Sequence, residues 1–166
     1  MVLQILTWPD PRLSVPCAPA QLSDGLRTLA ADMLQTMYDA PGRGLAAPQV
    51  GVLMRMFVMD VTWKEGNPAP VVMVNPQILW ASDTRATGAE GCLSIPGPTT
   101  MIDRAEEVLM RWTDLDGGTH EAMLTGLAAI CAQHEYDHLD GVLTLDRLSP
   151  ADRALALAEF EAGMTA

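Results

Sequence analysis

The sequence predicts an α+β fold, and three observations carry that prediction. Residues 21–40 and 125–138 repeat apolar side chains at three- and four-residue steps, the period of a helix with one buried face. Between them lie short segments rich in strand formers, each closed by turn residues. One of these, 106–113, alternates strictly and runs into Asp116-Gly117-Gly118, a turn that hands the chain to a partner strand.

In the first helical stretch the apolar face comprises Leu26, Leu29, Ala30, Met33, Leu34 and Met37. Ser23 or Asp24 is placed to cap its start, and Pro41-Gly42 ends it. In Gly42-Arg43-Gly44 the glycines let the backbone come close to a ligand, although glycines after a helix also serve as plain caps. Strands are expected over 54–61 and 71–74, with a less regular one over 84–90. Over 106–113, Val108, Met110 and Trp112 share a face, and the partner strand falls near 120–124. Helix returns over 125–138, where Leu127, Ile130 and Cys131 are apolar, and a last helix is expected over 150–161.

At 166 residues the chain is most simply one domain, 1–166, whose final part (150–166) is a short acidic helical tail. Apolar residues make up 49%, which argues against disorder. No apolar run approaches the roughly 20 residues that cross a bilayer, and the N-terminus lacks the layout of a signal peptide. Three cysteines without a pairing pattern suit a reducing cytoplasm. A net charge of −11 argues against direct binding to nucleic acid, which needs cations to displace counterions.

The chemistry concentrates in Gln133-His134-Glu135-Tyr136-Asp137-His138, an HExxH pattern that uses two of the three histidines. On a helix, His134 and His138 stack on one face and can grip one metal ion, while Glu135 stands beside them to handle protons. The plain alternative is a helix with two surface histidines. Catalytic sites of this kind take three protein ligands. Cys131 shares the helix face but lies about 7.5 Å along the axis from the level of the ion, at about 1.5 Å per residue. A cysteine does not reach that far, so Cys131 reads as a small apolar neighbour of the metal. Cys92, in Glu90-Gly91-Cys92-Leu93-Ser94 just after an expected strand, is placed to turn a thiolate toward the helix. Cys17, among prolines, reads as a structural or bystander thiol.

Three segments together resemble the peptide deformylase family: Gly42-Arg43-Gly44-Leu45-Ala46-Ala47-Pro48-Gln49, Glu90-Gly91-Cys92-Leu93-Ser94 and Gln133-His134-Glu135-Tyr136-Asp137-His138. Their order and separations also match, and the likeness runs up to about residue 150 through Pro9-Asp10-Pro11-Arg12-Leu13, Leu139-Asp140-Gly141-Val142-Leu143 and Asp146-Arg147-Leu148-Ser149-Pro150. The resemblance implies antiparallel sheets wrapped around a central helix that bears the HExxH motif. It implies removal of the N-terminal formyl group, as formate, from formyl-methionyl peptides of newly made proteins. It implies metal ligation by Cys92, His134 and His138, with Glu135 as proton carrier and Gln49 and the Leu93 backbone N–H as oxyanion donors. The native ion it implies is Fe²⁺; the ligand set also suits Zn²⁺, Co²⁺ or Ni²⁺. Glu90 and Arg104 would form a structural ion pair behind the metal loop. Gly44, Arg43, Leu127, Ile130 and Cys131 would line the substrate pocket, although Leu127 reads equally as core. His120 reads as solvated surface.

Three positions depart from the family pattern. Arg43 replaces an apolar residue, Gly88 stands where a larger apolar side chain often walls the pocket, and Thr99 falls where many members carry an arginine. They bear on substrate range rather than on hydrolysis. The tail is short and acidic where some bacterial members end in a basic helix that contacts the ribosome, so ribosome association is expected to be weak. The chain is expected to be a monomer. Competing readings are a related amidase with altered substrates, a general HExxH peptidase, and a catalytically idle paralogue that binds peptide ends. Glu135, Cys92 and Gln49, whose loss would have favoured the idle paralogue, are all present.

Overall fold

Ser23 starts the first helix, α1 (Asp24–Asp39), by accepting a 3.0 Å hydrogen bond from the backbone N–H of Leu26. The computed structural model describes residues 1–165; Ala166, the last residue of the expected 1–166 domain and tail, lies outside the described residues. The strands are β1 (Gly44–Ala46), β2 (Met56–Met59), β3 (Val71–Ala81), β4 (Arg85–Cys92), β5 (Ile95–Ala105), β6 (Glu107–Thr113) and β7 (Thr119–Thr125). Two further helices are α2 (Gly126–Leu139) and α3 (Pro150–Thr165). The order is thus helix, mixed strands, helix, helix, an α+β arrangement.

Five strands form one antiparallel sheet in the order β1-β2-β3-β6-β7, while β4 and β5 pair antiparallel as a second, two-stranded sheet. Helix α2 packs on β1, β2, β6 and β7 of the large sheet and also meets β5 of the small one. It therefore runs between the two sheets, as the resemblance implied. Alanines make this close approach feasible: Ala129 and Ala132 are fully buried and meet Phe57, Met73, Val108 and Met110 of the large sheet. On α1 the face of Leu26, Ala30, Met33 and Met37 packs on Leu45, Met56, Val58 and Val74. Each wholly buried methionine there contributes about 1.5–3 kcal/mol. Helix α3 closes a third cluster, in which Ala156 and Phe160 cover Leu13, Ile95, Leu143 and Leu145.

The sequence pattern locates the helices and most strands, with differences in their bounds. The strand expected over 54–61 is shorter, Met56–Met59, and that over 71–74 runs on to Ala81. The helix expected from residue 125 begins at Gly126 with Thr125 as its N-cap, and the last helix continues past residue 161 to Thr165. The irregular strand over 84–90 is real and extends to Cys92. No pattern marked β5, because Pro96, Gly97 and Pro98 interrupt it. The pairing explains their tolerance. Ile95 pairs with Cys92 and Thr100 with Glu90, so residues 96–99 fall in the irregularity between and owe the ladder no N–H. His120 is exposed as expected, yet it donates a 2.6 Å bond to Asp114 and stacks on Trp112 at 5.4 Å. No described helix is long and apolar enough to cross a membrane.

Candidate metal centre

The end of β4 and one face of α2 converge on a single point. Cys92, the last residue of β4, is held by the tight turn through Leu93 and Ser94 into β5. His134 and His138, one helical turn apart, place their ring centroids 5.1 Å from each other. The ligand atoms of Cys92, His134 and His138 all lie within 4.8 Å of one another. Cys92 Sγ stands 3.6 Å from His138 Nε2. A tetrahedral ion with bonds of about 2.1 Å to nitrogen and about 2.3 Å to sulfur sets donors roughly 3.6 Å apart, so this set fits a divalent metal. Burial also drives the His138 imidazolium well below its ordinary range, with the neighbouring His134 and Arg104 charges adding to it. Cys131 is not part of the trio. Its half-buried thiol points at the Arg43 carbonyl, 3.6 Å away, and burial holds it protonated well above the usual thiol range.

Behind the trio lies a buried ionic network. His134 Nδ1 and Glu90 Oε1 are 2.9 Å apart, which fixes the ring and turns Nε2 toward the cluster. Arg104 binds Glu90 with two bonds, 2.7 and 2.9 Å, and reaches Asp137 at 2.9 Å. Arg147 binds Asp137 from the other side, at 2.7 Å to Oδ1. The Glu90–Arg104 pair is as expected; Asp137 and Arg147 are additions that sequence reasoning left without a role. Their one signal was position, Asp137 inside the histidine motif and Arg147 in the segment 146–150 that shares the family likeness. Burial works to raise the Glu90 carboxyl, but its bonds to His134 and Arg104 outweigh that and hold it ionised. Burial also disfavours the charge on His134, yet Glu135, the Cys92 thiol and Glu90 raise its affinity for a proton well above the ordinary range.

Glu135 is 4% exposed, and its Oε1 has no hydrogen-bond partner among the described residues. Burial pushes its carboxyl up to about 7. It forms the floor of a cleft of about 400 Å³. Gly44 explains itself here: a Cβ at that position would stand 2.6 Å from Glu135 Oε2 and 2.9 Å from Cys131 Sγ. Gln49, wholly buried, accepts from the Ala46 N–H at 2.9 Å and donates Nε2 to Ser94 Oγ at 3.0 Å, close to Cys92 Sγ at 3.8 Å. Ser94 is thus a third residue to which sequence reasoning gave no role.

Arg43, Gly44, Leu93, Leu127, Ile130, Cys131 and Thr99 all line the same cleft. Leu127 is 49% exposed, so it belongs to the cleft and not to the core. Gly88 is exposed and a Cβ there would meet nothing within 4 Å, so open space lies where a larger side chain would stand. The Arg43 guanidinium is paired, its Nη2 donating to Glu65 Oε1 at 3.1 Å.

Three soft and nitrogen ligands of matched reach, beside a buried carboxylate with an unpartnered oxygen at the floor of an open cleft, define a metal-dependent hydrolase. Comparison narrows the class. A family model described as polypeptide deformylase matches residues 2–154. A curated peptide deformylase of Alkalilimnicola ehrlichii is 52% identical over 153 residues, covering 92% of this chain and 85% of its own length. The crystal structure of a peptide deformylase from Legionella pneumophila superposes with a TM-score of 0.93 at 39% identity, over 99% of this chain and 96% of the other. That of Ehrlichia chaffeensis in complex with actinonin gives 0.91 at 36% identity, over 98% and 97%. The chain belongs to the peptide deformylase family, metal-dependent hydrolases that remove N-formyl groups.

Proposed function

We propose that this chain removes the formyl group, as formate, from formyl-methionyl ends of newly made proteins, with Cys92, His134 and His138 holding one divalent ion. The observation that carries the reading is the pairing of that trio with the unpartnered oxygen of Glu135 in one cleft. The bound ion supplies the Lewis acidity that makes water nucleophilic near neutral pH. Glu135 takes a proton from the attacking water and gives one to the leaving amine, roles that suit a carboxyl raised by burial to about 7. Gln49 Nε2 and the Leu93 N–H are the donors that meet the oxyanion as the formyl carbon becomes tetrahedral. Ser94 keeps the Gln49 amide turned with Nε2 outward, since Oε1 is taken by the Ala46 N–H. The formyl carbon–nitrogen bond then breaks, leaving formate and a free amine.

Gly44, Arg43, Leu127, Ile130 and Cys131 are assigned to substrate binding, the last three as an apolar wall for the methionine side chain. Fe²⁺ is the native ion in this reading, and Zn²⁺, Co²⁺ and Ni²⁺ also suit the ligands. An exposed iron–thiolate centre would lose activity in air. The chain is assigned to the cytoplasm as a monomer of one domain. Association with the ribosome would be weak, because α3 offers Asp152, Glu159 and Glu161 against a single Arg153. No observation favours the idle paralogue.

The test is formate release from a formyl-Met peptide by protein reconstituted anaerobically with Fe²⁺. Glu135→Gln should retain the ion and lose nearly all turnover, whereas Cys92→Ala should lose tight metal binding and Cys131→Ser should keep it. Near-parent turnover in Glu135→Gln, or metal loss only in Cys131→Ser, would overturn the assignment.

A further inference from the structure

One charged group lining the cleft has no task in the scheme above. Lys64 lies in the short 3-10 turn Trp63–Glu65, which borders the cleft mouth beside Arg43. The turn is firmly seated. Trp63 Nε1 donates to the Gly42 carbonyl at 2.9 Å, and its ring meets Tyr38 edge-on at 5.3 Å. At its base, Asp60 accepts from Tyr38 Oη at 2.6 Å and from the Ala69 N–H at 3.0 Å. The lysine is therefore carried by a structure tied to the glycine segment of the cleft, not by a loose loop.

The charges around it divide unequally. Glu65 is engaged with Arg43 at 3.1 Å. Glu90 is engaged with Arg104 and His134 behind the metal trio, and Glu135 lies on the floor. Among the described residues no carboxylate lies within 4.0 Å of the Lys64 ammonium, which rests 5.7 Å from the Trp63 ring centroid. In a chain of net charge −11, the mouth of the cleft thus presents a cation without a counter-charge.

We infer that Lys64 is a specificity residue, favouring substrates with Asp or Glu close behind the formyl-methionine and disfavouring Lys or Arg there. The inference rests on the deformylase reading of the same cleft. An exposed ammonium gives a modest attraction to a carboxylate and a similar repulsion of a second cation, so discrimination between the two is the larger effect. Arg43, beside it at the mouth, is already paired with Glu65 at 3.1 Å.

The experiment measures kcat/KM for formate release from formyl-Met peptides carrying Asp, Asn or Lys at the first, second or third position after methionine. It compares the metal-loaded parent with Lys64→Gln and Lys64→Glu, at low and high salt. The parent should prefer Asp over Lys by about fivefold at one of the positions in low salt, the scale of two exposed charge effects of opposite sign. The ratio should approach one in Lys64→Gln, invert in Lys64→Glu and shrink in high salt, with the change in KM rather than kcat. Because a ratio is read, any general loss of activity in a variant cancels. An Asp-to-Lys ratio shared by all three proteins would overturn the inference and leave the deformylase reading intact. A parent inactive on every peptide would overturn both.

Discussion

Arg104, behind the metal trio, and Arg43, at the cleft mouth, meet glutamates at similar distances, 2.7 Å and 3.1 Å. Their settings differ. Arg104 is 3% exposed and its bonds to Glu90 and Asp137 reach β4 and α2, the two elements that carry Cys92, His134 and His138. Arg43 makes one bond to a glutamate that is 58% exposed. Water screens the second pair and leaves the first almost unscreened. Buried charge is costly to leave unpaired, so the inner network holds His134 and Asp137, hence α2, in one geometry. The outer charges are cheap to change, which makes the mouth the place where substrate range can vary without touching the chemistry.

The largest effect should come from breaking the inner network. Arg104→Met leaves buried Glu90 with His134 as its remaining partner and Asp137 with Arg147 alone, and should cost about 3–5 kcal/mol of stability. Urea unfolding reads this directly. A loss below about 1 kcal/mol would erase the distinction between the two regions.

A smaller effect tests whether geometry at the floor matters as much as charge. Gly44→Ala adds no charge but drives a methyl to within 2.6 Å of Glu135 Oε2. The carboxylate must move, and a displacement of about 1 Å in a catalytic group typically costs on the order of 10² in rate. Turnover should therefore fall by about that factor while metal content stays near the parent's. Unchanged turnover would show that Glu135 has room the structure does not suggest.

The smallest effect belongs to the mouth. Glu65→Gln removes the partner of Arg43 and should change stability by less than about 1 kcal/mol. A cost comparable with that of Arg104→Met would mean that the outer pair is structural after all.

Much of this was legible before any fold was known, for reasons that particular residues show. His134, Glu135 and His138 lie within one helical turn, so their convergence follows from local geometry alone. The α1 face was legible because its apolar residues keep a helical period, and β6 and β7 because alternation flanks a glycine turn. Strand β5 was hidden, since Pro96 and Pro98 are tolerated only through a pairing irregularity that depends on β4. Exposure of Leu127 was likewise hidden, because an apolar helix residue gives the same pattern whether it faces core or cleft.

By itself, then, the sequence determined the class of chemistry and the elements that carry it, because periodicity and motif spacing are properties of neighbouring residues. Only the tertiary structure decided the partners across long separations. It joined Asp137 to Arg104 and Arg147, turned the Gln49 amide through Ser94, bound Arg43 to Glu65 and left Lys64 without a counter-charge among the described residues. Those pairings arise from the packing of distant elements around α2. Charge and hydrogen-bond capacity are written in the residues, but which groups remain unmatched is settled only when the chain has folded.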